Sequence, residues 1–391
     1  MVKNGRVIYA ARPASQIVPG ETVKYVEDDL DLAAVPLNGG VLLRTLALSS
    51  DPYMRYRMRD PAVPMFCPAL KEGDVLDNFG VATVVRSEDG KFKEGDFVEG
   101  YIDFAEYSIW PPPPERRHFL TYLQPIARPK DIPVTVYTGT LGLAGKSAWT
   151  AYETFAKEKT KEVRPARGEG NEPRLTRGVL GQDAVCQCGR GRCGNVRIEE
   201  ADRVTDELMR CVECRFVCEY AKVLNPSIKV IGSAGSQEKL DVLKKIGVDV
   251  TINYKTQDTA AILKEHGPID IYWDNVAGST LDAALVNMSH FGLIIACGAI
   301  TAASNNGDGS VVRHFEEIFE RSLTVKGFIC GTGEVAQALP DFYTVVTPLV
   351  QAGKITSREH RFNGLREAGE ALLSVHAGTN LGKAVIVVAE E

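Results

Sequence analysis

Two stretches of this 391-residue chain carry side chains that could grip a phosphate, and they do so in opposite styles. The first is built on regular structure. Ile228-Lys-Val-Ile-Gly232 reads as a strand, and Gln237 to Ile246 reads as a helix with Leu240, Leu243 and Ile246 on one face. That strand ends at Gly232-Ser233 with no Asp or Glu placed to bind the ribose hydroxyls of a dinucleotide. Ser236 and Lys239 instead offer a donor and a positive charge, which suits a 2′-phosphate, so NADP is the expected cofactor. The plain structural alternative is that Lys239 is a solvated helix residue.

The second stretch, Lys161 to Cys218, has no such frame. A doubly wound sheet needs a first strand, a glycine turn and a first helix ahead of Ile228, because the pyrophosphate rests on that helix's N-terminus, where free N–H groups and the helix dipole favour anions. Only the end of that helix, Phe216 to Leu224, is recognisable. Gly189-Arg-Gly-Arg-Cys-Gly194 satisfies G-x-G-x-x-G, but two arginines in the turn and a lead of mixed polarity make it a poor phosphate loop. Five of the nine cysteines, Cys186, Cys188, Cys193, Cys211 and Cys214, crowd here and invite a structural-zinc reading. Cys67, Cys218, Cys297 and Cys330 are scattered and read as small buried apolar residues.

Around these stretches the elements alternate in two ways. From Arg6 to about Arg128, short strands such as Val41 to Leu48, Gly80 to Val85 and Asp96 to Tyr101 alternate with Gly- and Pro-rich turns, as in an antiparallel β domain. Pro129 to Pro133 marks a hinge, and Gly139-Thr-Leu-Gly-Leu-Ala-Gly145 opens a helix at Ser147 to Ala156. Further on, strands at Val250 to Tyr254, Ile269 to Trp273 and Gly292 to Cys297 alternate with helices at Thr259 to His266 and Thr280 to Met288, which implies a parallel sheet buried on both faces. Helices at Phe342 to Gly353 and Leu365 to His376 and a strand at Lys383 to Val388 close the chain. The expected fold class is therefore α/β. A net charge of −6 with interspersed signs gives no field to hold nucleic acid or an anionic membrane. No apolar run approaches membrane-spanning length and no leader-like segment opens the chain, so a cytoplasmic location is expected.

Eight short matches, in order, carry a resemblance: Asp51-Pro-Tyr-Met-Arg55, Gly142-Leu-Ala-Gly145, Ala234-Gly-Ser-Gln-Glu-Lys239, Asn253-Tyr-Lys255, Asp274-Asn-Val276, Cys297-Gly-Ala-Ile300, Gly327-Phe-Ile329 and Asn380-Leu-Gly-Lys383. Together they resemble the zinc-independent medium-chain reductases, and among them the NADP-dependent alkenal and 15-oxoprostaglandin 13-reductases, also called leukotriene B4 dehydrogenases. The resemblance implies a GroES-like domain over residues 1–130, a Rossmann doubly wound parallel sheet over 131–340 interrupted by 163–215, and a C-terminal segment, 341–391, that returns to the first domain. It implies that Lys239 and Tyr254 clamp the 2′-phosphate end, with Ser236 beside them, and that Asn275, Cys297, Gly298, Ala299 and Ile300 line the nicotinamide side. Phe328, Ile329, Cys330 and Asn380 would complete the cleft. The implied reaction delivers hydride to the β-carbon of an enal or enone while donors at the carbonyl oxygen stabilise the enolate, with no metal. Tyr53 is the candidate donor, a packing role being its alternative. The family often places a tyrosine shortly after Cys-Gly-Ala-Ile, but this chain has Ala302-Ala-Ser304. A homodimer is the assembly implied.

In that family a short apolar strand and a turn of the type Ala-Ala-Gly-Ala-Val-Gly follow the helix ending near Lys161. Written as degenerate codons and shifted by one base, Gln182 to Asn195 can encode Leu-Phe-Val-Ser followed by that turn. Val163 and Val196 each begin with GT, Leu180-Gly181 can encode TTAG and Cys214-Arg215 can encode TGCAG. These are the signatures of two retained introns whose joint length is a whole number of codons, so the frame returns at Phe216. On this reading the chain as written lacks its phosphate loop, and residues 163–204 form an irregular surface excursion whose tail, from about Asp206, runs helically into Phe216. Two other classes stay open: a zinc-dependent alcohol dehydrogenase relative, which bound metal and alcohol oxidation would reveal, and a non-catalytic NADP-binding protein, which binding without turnover would reveal.

Overall fold

The structure, a computed structural model, describes residues 1–162, 212–300 and 311–391. A hairpin of β1 (Val2–Tyr9) and β2 (Val23–Leu30) opens the chain. Then come β3 (Val41–Ser49), the short helix α1 (Met54–Arg57), β4 (Asp77–Ser87), β5 (Phe97–Asp103), β6 (Tyr107–Trp110) and β7 (Leu123–Pro125). Helix α2 (Leu143–Ala151) continues through a π-helical turn (Tyr152–Ala156) into α3 (Lys157–Glu162). Next in the described chain are α4 (Val212–Leu224), β8 (Ile231–Ala234), α5 (Gln237–Lys245), β9 (Val250–Asn253), α6 (Thr259–His266), β10 (Ile269–Asp274), α7 (Gly278–Leu285) and β11 (Met288–Ala296). The last elements are α8 (Glu317–Glu320), β12 (Thr324–Gly327), α9 (Phe342–Gln351), β13 (Glu359–Asn363), α10 (Ala368–Ala377) and β14 (Lys383–Val387).

One sheet runs β13-β14-β3-β4-β5-β7, with β6 also pairing β3. Its centre is β3, Val-Leu-Leu-Arg-Thr-Leu-Ala-Leu-Ser, buried throughout except at Arg44, as a strand covered on both faces must be. Val41, Leu43, Leu48, Val98, Ile102 and Ile386 pack into one core, and fully burying each such side chain contributes about 1.5–3 kcal/mol. The C-terminal strand β14 enters this sheet antiparallel to β3, pairing Val385 with Ser49. Residues almost 340 positions from β3 therefore belong to its sheet.

The parallel strands form two separate pieces among the described residues, β8-β9 and β10-β11-β12. In a doubly wound sheet of order 3-2-1-4-5-6 these are strands 3-2 and 4-5-6, and the position between them belongs to strand 1. That strand would come from the chain between α3 and α4, which lies outside the described residues. So do Gly189 to Gly194, Cys186, Cys188, Cys193 and Cys211, the excursion 163–204, and Ala302 to Ser304. The expected helical tail is described from Val212 onward.

The core of this half is shared. Trp149 and Tyr152, Phe216 and Tyr220 of α4, Trp273, Ile295, and Phe342 of α9 pack together and also meet Leu46 and Val81 of the antiparallel sheet. Gly142 and Gly145 allow the turn before α2 to fold tightly: a Cβ at Gly145 would fall 1.8 Å from the Thr140 carbonyl oxygen, and one at Gly142 2.2 Å from that of Tyr137.

Most expected elements stand within a few residues of their expected bounds. The strand expected at Ile228 begins instead at Ile231, because the Asp249 carboxylate takes the Val230 N–H and Lys222 binds the Ile228 carbonyl. The helix expected to reach Met288 ends at Leu285, and Met288 starts β11.

Candidate active site

Tyr53 is the N-cap residue of α1, where Asp51-Pro-Tyr turns out of β3. Its hydroxyl donates to Asn78 Oδ1, and the Asn78 amide donates to Asp51 Oδ2 and to the Ser49 carbonyl, each at 2.8 Å. Asp51 is paired at 3.0 Å with Lys383 of β14, both nearly inaccessible to solvent. Removing one partner of such a buried pair leaves an uncompensated charge and costs about 3–5 kcal/mol. Burial pushes the Tyr53 hydroxyl well above its ordinary pKa, so it stays protonated, and the Arg57 guanidinium opposes that rise without reversing it. Tyr53 also packs, with Tyr122, against the buried cluster of Phe79, Tyr101 and Leu120, which makes an aromatic wall behind it.

Across from this wall lie the C-terminal ends of β10 and β11, the usual ligand-binding edge of a parallel sheet. Asp274 closes β10. Its carboxylate accepts the Val276 and Ala277 N–H groups at 2.9 Å each, so the chain turns at Ala277 into α7. Burial raises the Asp274 carboxyl above its usual range, against the pull of those N–H groups. The Cys297 and Gly298 N–H groups bond the Asp274 carbonyl at 2.8 and 3.1 Å, and that of Ile300 bonds the Asn275 carbonyl at 3.2 Å. A Cβ at Gly298 would crowd Asn275, 3.3 Å from its carbonyl oxygen and 3.4 Å from Oδ1. The Asn275 amide donates to Cys214 Sγ of α4 at 2.8 Å. Cys297 and Cys330 are held as neutral thiols, their pKa values raised by burial.

The structure therefore brings Asn275, Cys297, Gly298, Ala299 and Ile300 together. Phe328 packs edge-on against Trp273, the residue before Asp274, at a ring separation of 6.1 Å. Ile329 is partly exposed beside it, and Cys330 lies near Lys146 and Ser147 of α2. Asn380 is 2% exposed; its amide nitrogen donates to the Gly382 carbonyl, and its Oδ1 is buried with no hydrogen-bond partner among the described residues.

At the other end of the β8–β9 piece, Ser236 is the N-cap of α5 but makes no side-chain cap bond. Lys239 is not the solvated residue of the alternative reading: it is 6% exposed and donates to the Gly378 carbonyl at 3.1 Å. Gly378 ends α10 in the left-handed conformation, which leaves its carbonyl turned out of the helix. Tyr254 follows β9 and is half-buried.

Asn78, Lys383, Tyr56 and Cys214 were not singled out as site residues in the sequence. Lys383 and Tyr56 lie in or beside matched segments, Asn380-Leu-Gly-Lys383 and Asp51 to Arg55, and proximity to a motif was the available signal. Asn78 gave none, and Cys214 stood out only as one of the clustered cysteines. Tyr56 donates its hydroxyl proton to the Ala299 carbonyl at 2.8 Å, across the cleft.

A dinucleotide carrying a 2′-phosphate fits these residues in part. The unpartnered Asn380 oxygen suits a hydroxyl or amide donor, Gly298 keeps the wall close to Asn275, and Ser236 leaves the first N–H groups of α5 without a side-chain cap. The pyrophosphate turn lies outside the described residues. Among the described residues, no group of three or more His, Cys, Asp or Glu is arranged to hold a metal ion, and no helix is long and apolar enough to cross a membrane.

Comparison with known proteins agrees with this arrangement. A zinc-binding dehydrogenase family model matches residues 215–344, and a model of the N-terminal domain of oxidoreductases matches residues 7–115. The chain is 33% identical to an NADP(+)-dependent 2-alkenal reductase of Nicotiana tabacum, over 93% of this chain and 94% of that protein. It is 30% identical to prostaglandin reductase 1 of Mus musculus, over 90% of each. Its fold is similar to that of CurA from Vibrio vulnificus, solved in complex with NADPH, with a TM-score of 0.74 at 22% identity, over 99% of this chain and 100% of that one.

Proposed function

Because this chain belongs to the NADP-dependent alkenal and enone reductase family of medium-chain dehydrogenases/reductases, an oxidoreductase family of Rossmann plus GroES-like fold, we propose that it reduces the C=C bond of α,β-unsaturated aldehydes and ketones with NADPH and without a metal. When bound, NADPH supplies the hydride that reaches the substrate's β-carbon. The chain's part is to hold both partners and to stabilise the charge that develops on the carbonyl oxygen. The observation that carries this reading is the Tyr53 hydroxyl, buried, protonated and held by Asn78 at the edge of an aromatic wall. A substrate carbonyl arriving beside it would compete with Asn78 Oδ1 for that proton, and the same hydrogen bond strengthens as the oxygen becomes an enolate.

On the cofactor side, Lys239, Ser236 and Tyr254 would hold the 2′-phosphate end. Lys239 would then redirect its ammonium from the Gly378 carbonyl or share it. Asn275, Cys297, Gly298, Ala299 and Ile300 with Phe328, Ile329, Cys330 and Asn380 would hold the nicotinamide end. The 1–130, 131–340 and 341–391 division is part of the same reading, supported by the entry of β14 into the antiparallel sheet. A homodimer is supported by the edge strand β12, which among the described residues pairs only with β11 and exposes Val325. A cytoplasmic location completes the reading.

The test is oxidation of NADPH by purified protein of the frame-restored sequence with a conjugated enal, with and without a chelator. Saturated aldehyde as product and indifference to the chelator are expected. Loss of activity on zinc removal, or activity only with saturated alcohols, would sink the proposal.

One observation favours a second reading for the chain as written. Among the described residues its parallel strands stand in two pieces, and the match to the zinc-binding dehydrogenase model begins at residue 215, beside the point where the shifted frame returns. With residues 163–215 in place of a strand and glycine turn, this polypeptide would bind NADPH poorly. Sequencing of the mature transcript across the codons for Lys161 to Cys218 tests that reading. A message that retains both segments and encodes a protein with normal NADPH turnover would end it, and Gly189 to Gly194 would return as the phosphate loop.

A further inference from the structure

Helix α1 is fastened to the antiparallel half on every side but one. Tyr53 bonds Asn78, Arg55 donates to the Ser15 carbonyl, Arg57 is paired with Asp77, and Met54 and Met58 are fully buried in the core. Tyr56 points the other way. Its hydroxyl reaches a residue 243 positions further along, the carbonyl of Ala299, at 2.8 Å.

The receiving segment is equally fixed, but to the parallel half. The N–H groups of Cys297 and Gly298 bond back to the Asp274 carbonyl, and that of Ile300 to the Asn275 carbonyl. The Ala299–Ile300 peptide unit is thereby held at both ends, its N–H by Asn275 and its C=O by Tyr56. One hydroxyl thus joins two rigid walls where the substrate-side donor and the nicotinamide-side segment face each other. Other polar links between the halves involve other elements, among them Lys146 of α2 with Glu99 of β5 and Lys239 of α5 with Gly378 at the end of α10.

Resting on the reductase reading above, we propose that Tyr56 is a positioning residue for hydride transfer: its bond to the Ala299 carbonyl latches α1 to the nicotinamide-side wall and sets the width of the cleft between Tyr53 and that wall. The physical demand is strict. Reacting carbons must approach to about 3–3.5 Å, and a misplacement of about 1 Å can slow a reaction about 100-fold. Tyr53 and Tyr56 sit three residues apart on one short helix, so any rocking of α1 on its latch moves the carbonyl donor with it. Loss of a hydroxyl at this point leaves the ring and its packing in place while freeing the carbonyl.

The test uses the full chain with Tyr56→Phe and Tyr56→His, read first without ligand. Hydrogen exchange at the Ile300 amide should quicken about 10-fold in Tyr56→Phe, since a single hydrogen bond of ordinary strength is lost, while amides of β3 and β4 keep their rates. In NADPH-dependent reduction of an enal, Tyr56→Phe should lower kcat about 10-fold with KM for NADPH within about 2-fold, and Tyr56→His, which keeps a donor, should recover part of the loss. A structural role alone would move thermal stability and the exchange of α1 as a whole and would leave no kcat-specific loss. Unchanged exchange at Ile300, or faster exchange with unchanged kcat, would overturn the proposal. A chain that binds NADPH but turns over no enal would instead overturn the reductase reading, and the exchange result would still decide whether the latch exists.

Discussion

The two halves of this molecule use the same chain differently. The antiparallel half is continuous: β13, β14, β3, β4, β5 and β7 follow one another in a single sheet, although β13 and β14 come from the far end of the sequence. Among the described residues the parallel half stands as two strands and three strands, separated where a doubly wound sheet has its first strand. An antiparallel sheet is held by neighbouring hairpins and tolerates distant additions. A doubly wound sheet depends on its first strand both for its centre and for the turn that binds pyrophosphate. On the reading that residues 163–215 replace that strand and turn, the substrate side is complete in a chain whose phosphate side is not.

The largest test of this contrast replaces residues 163–215 with the frame-shifted strand and glycine turn. Two or three regained charge-assisted N–H contacts to phosphate would strengthen NADPH binding by about 4 kcal/mol, about 1,000-fold, measured by fluorescence titration. Equal affinity in the two chains would show that the parallel half is whole as written. Next in size is Tyr53→Phe in the restored chain. A lost donor at the developing oxyanion should cost about 100-fold in kcat with NADPH affinity unchanged, and a matched loss of affinity would move Tyr53 out of the substrate wall.

Lys239→Ala probes the phosphate end and should weaken NADPH more than NADH by about 1–3 kcal/mol. Its bond to Gly378 is lost with either cofactor, so only the difference between the two reports on the 2′-phosphate. Equal losses would leave Lys239 as a tie between α5 and α10.

The last test leaves the cofactor aside and concerns the shared core. Burial raises the Tyr152 hydroxyl from its ordinary 10 to about 12, against a hydrogen bond with Thr160. A hydroxyl whose pKa is raised on folding contributes stability fully below the unfolded value, and that contribution is lost as pH rises through the folded value. Stability should thus fall by about 2–3 kcal/mol between pH 10 and 12 from this group alone. In Tyr152→Phe that part of the alkaline decline should vanish, as read by urea unfolding at pH 9 and pH 11. An identical slope in the variant would exclude Tyr152 as its source.

Much of the fold was legible because its periodicities are local. The apolar strand Val41 to Leu48 and the helix Thr259 to His266 stand as the sequence implies, the helix capped by Asp258. What was hidden depends on partners distant in the chain. The start of β8 was displaced by Asp249, which no reading of Ile228 to Gly232 alone contains. The burial of Lys239 depends on a carbonyl 139 residues away, and the Tyr56 latch on one 243 residues away. Asn78 supports Tyr53 from a strand whose pattern signals only β structure.

The claim that joins these regions is that hydride crosses the cleft to the β-carbon of a conjugated carbonyl. The most direct measurement is a single turnover of the restored chain with NADPH deuterated at C4 and a 2-alkenal, followed by product analysis. The expected product is the saturated aldehyde with one deuterium at C3, formed equally with and without chelator. Deuterium at C1 of an alcohol would show carbonyl reduction instead and would contradict the assignment.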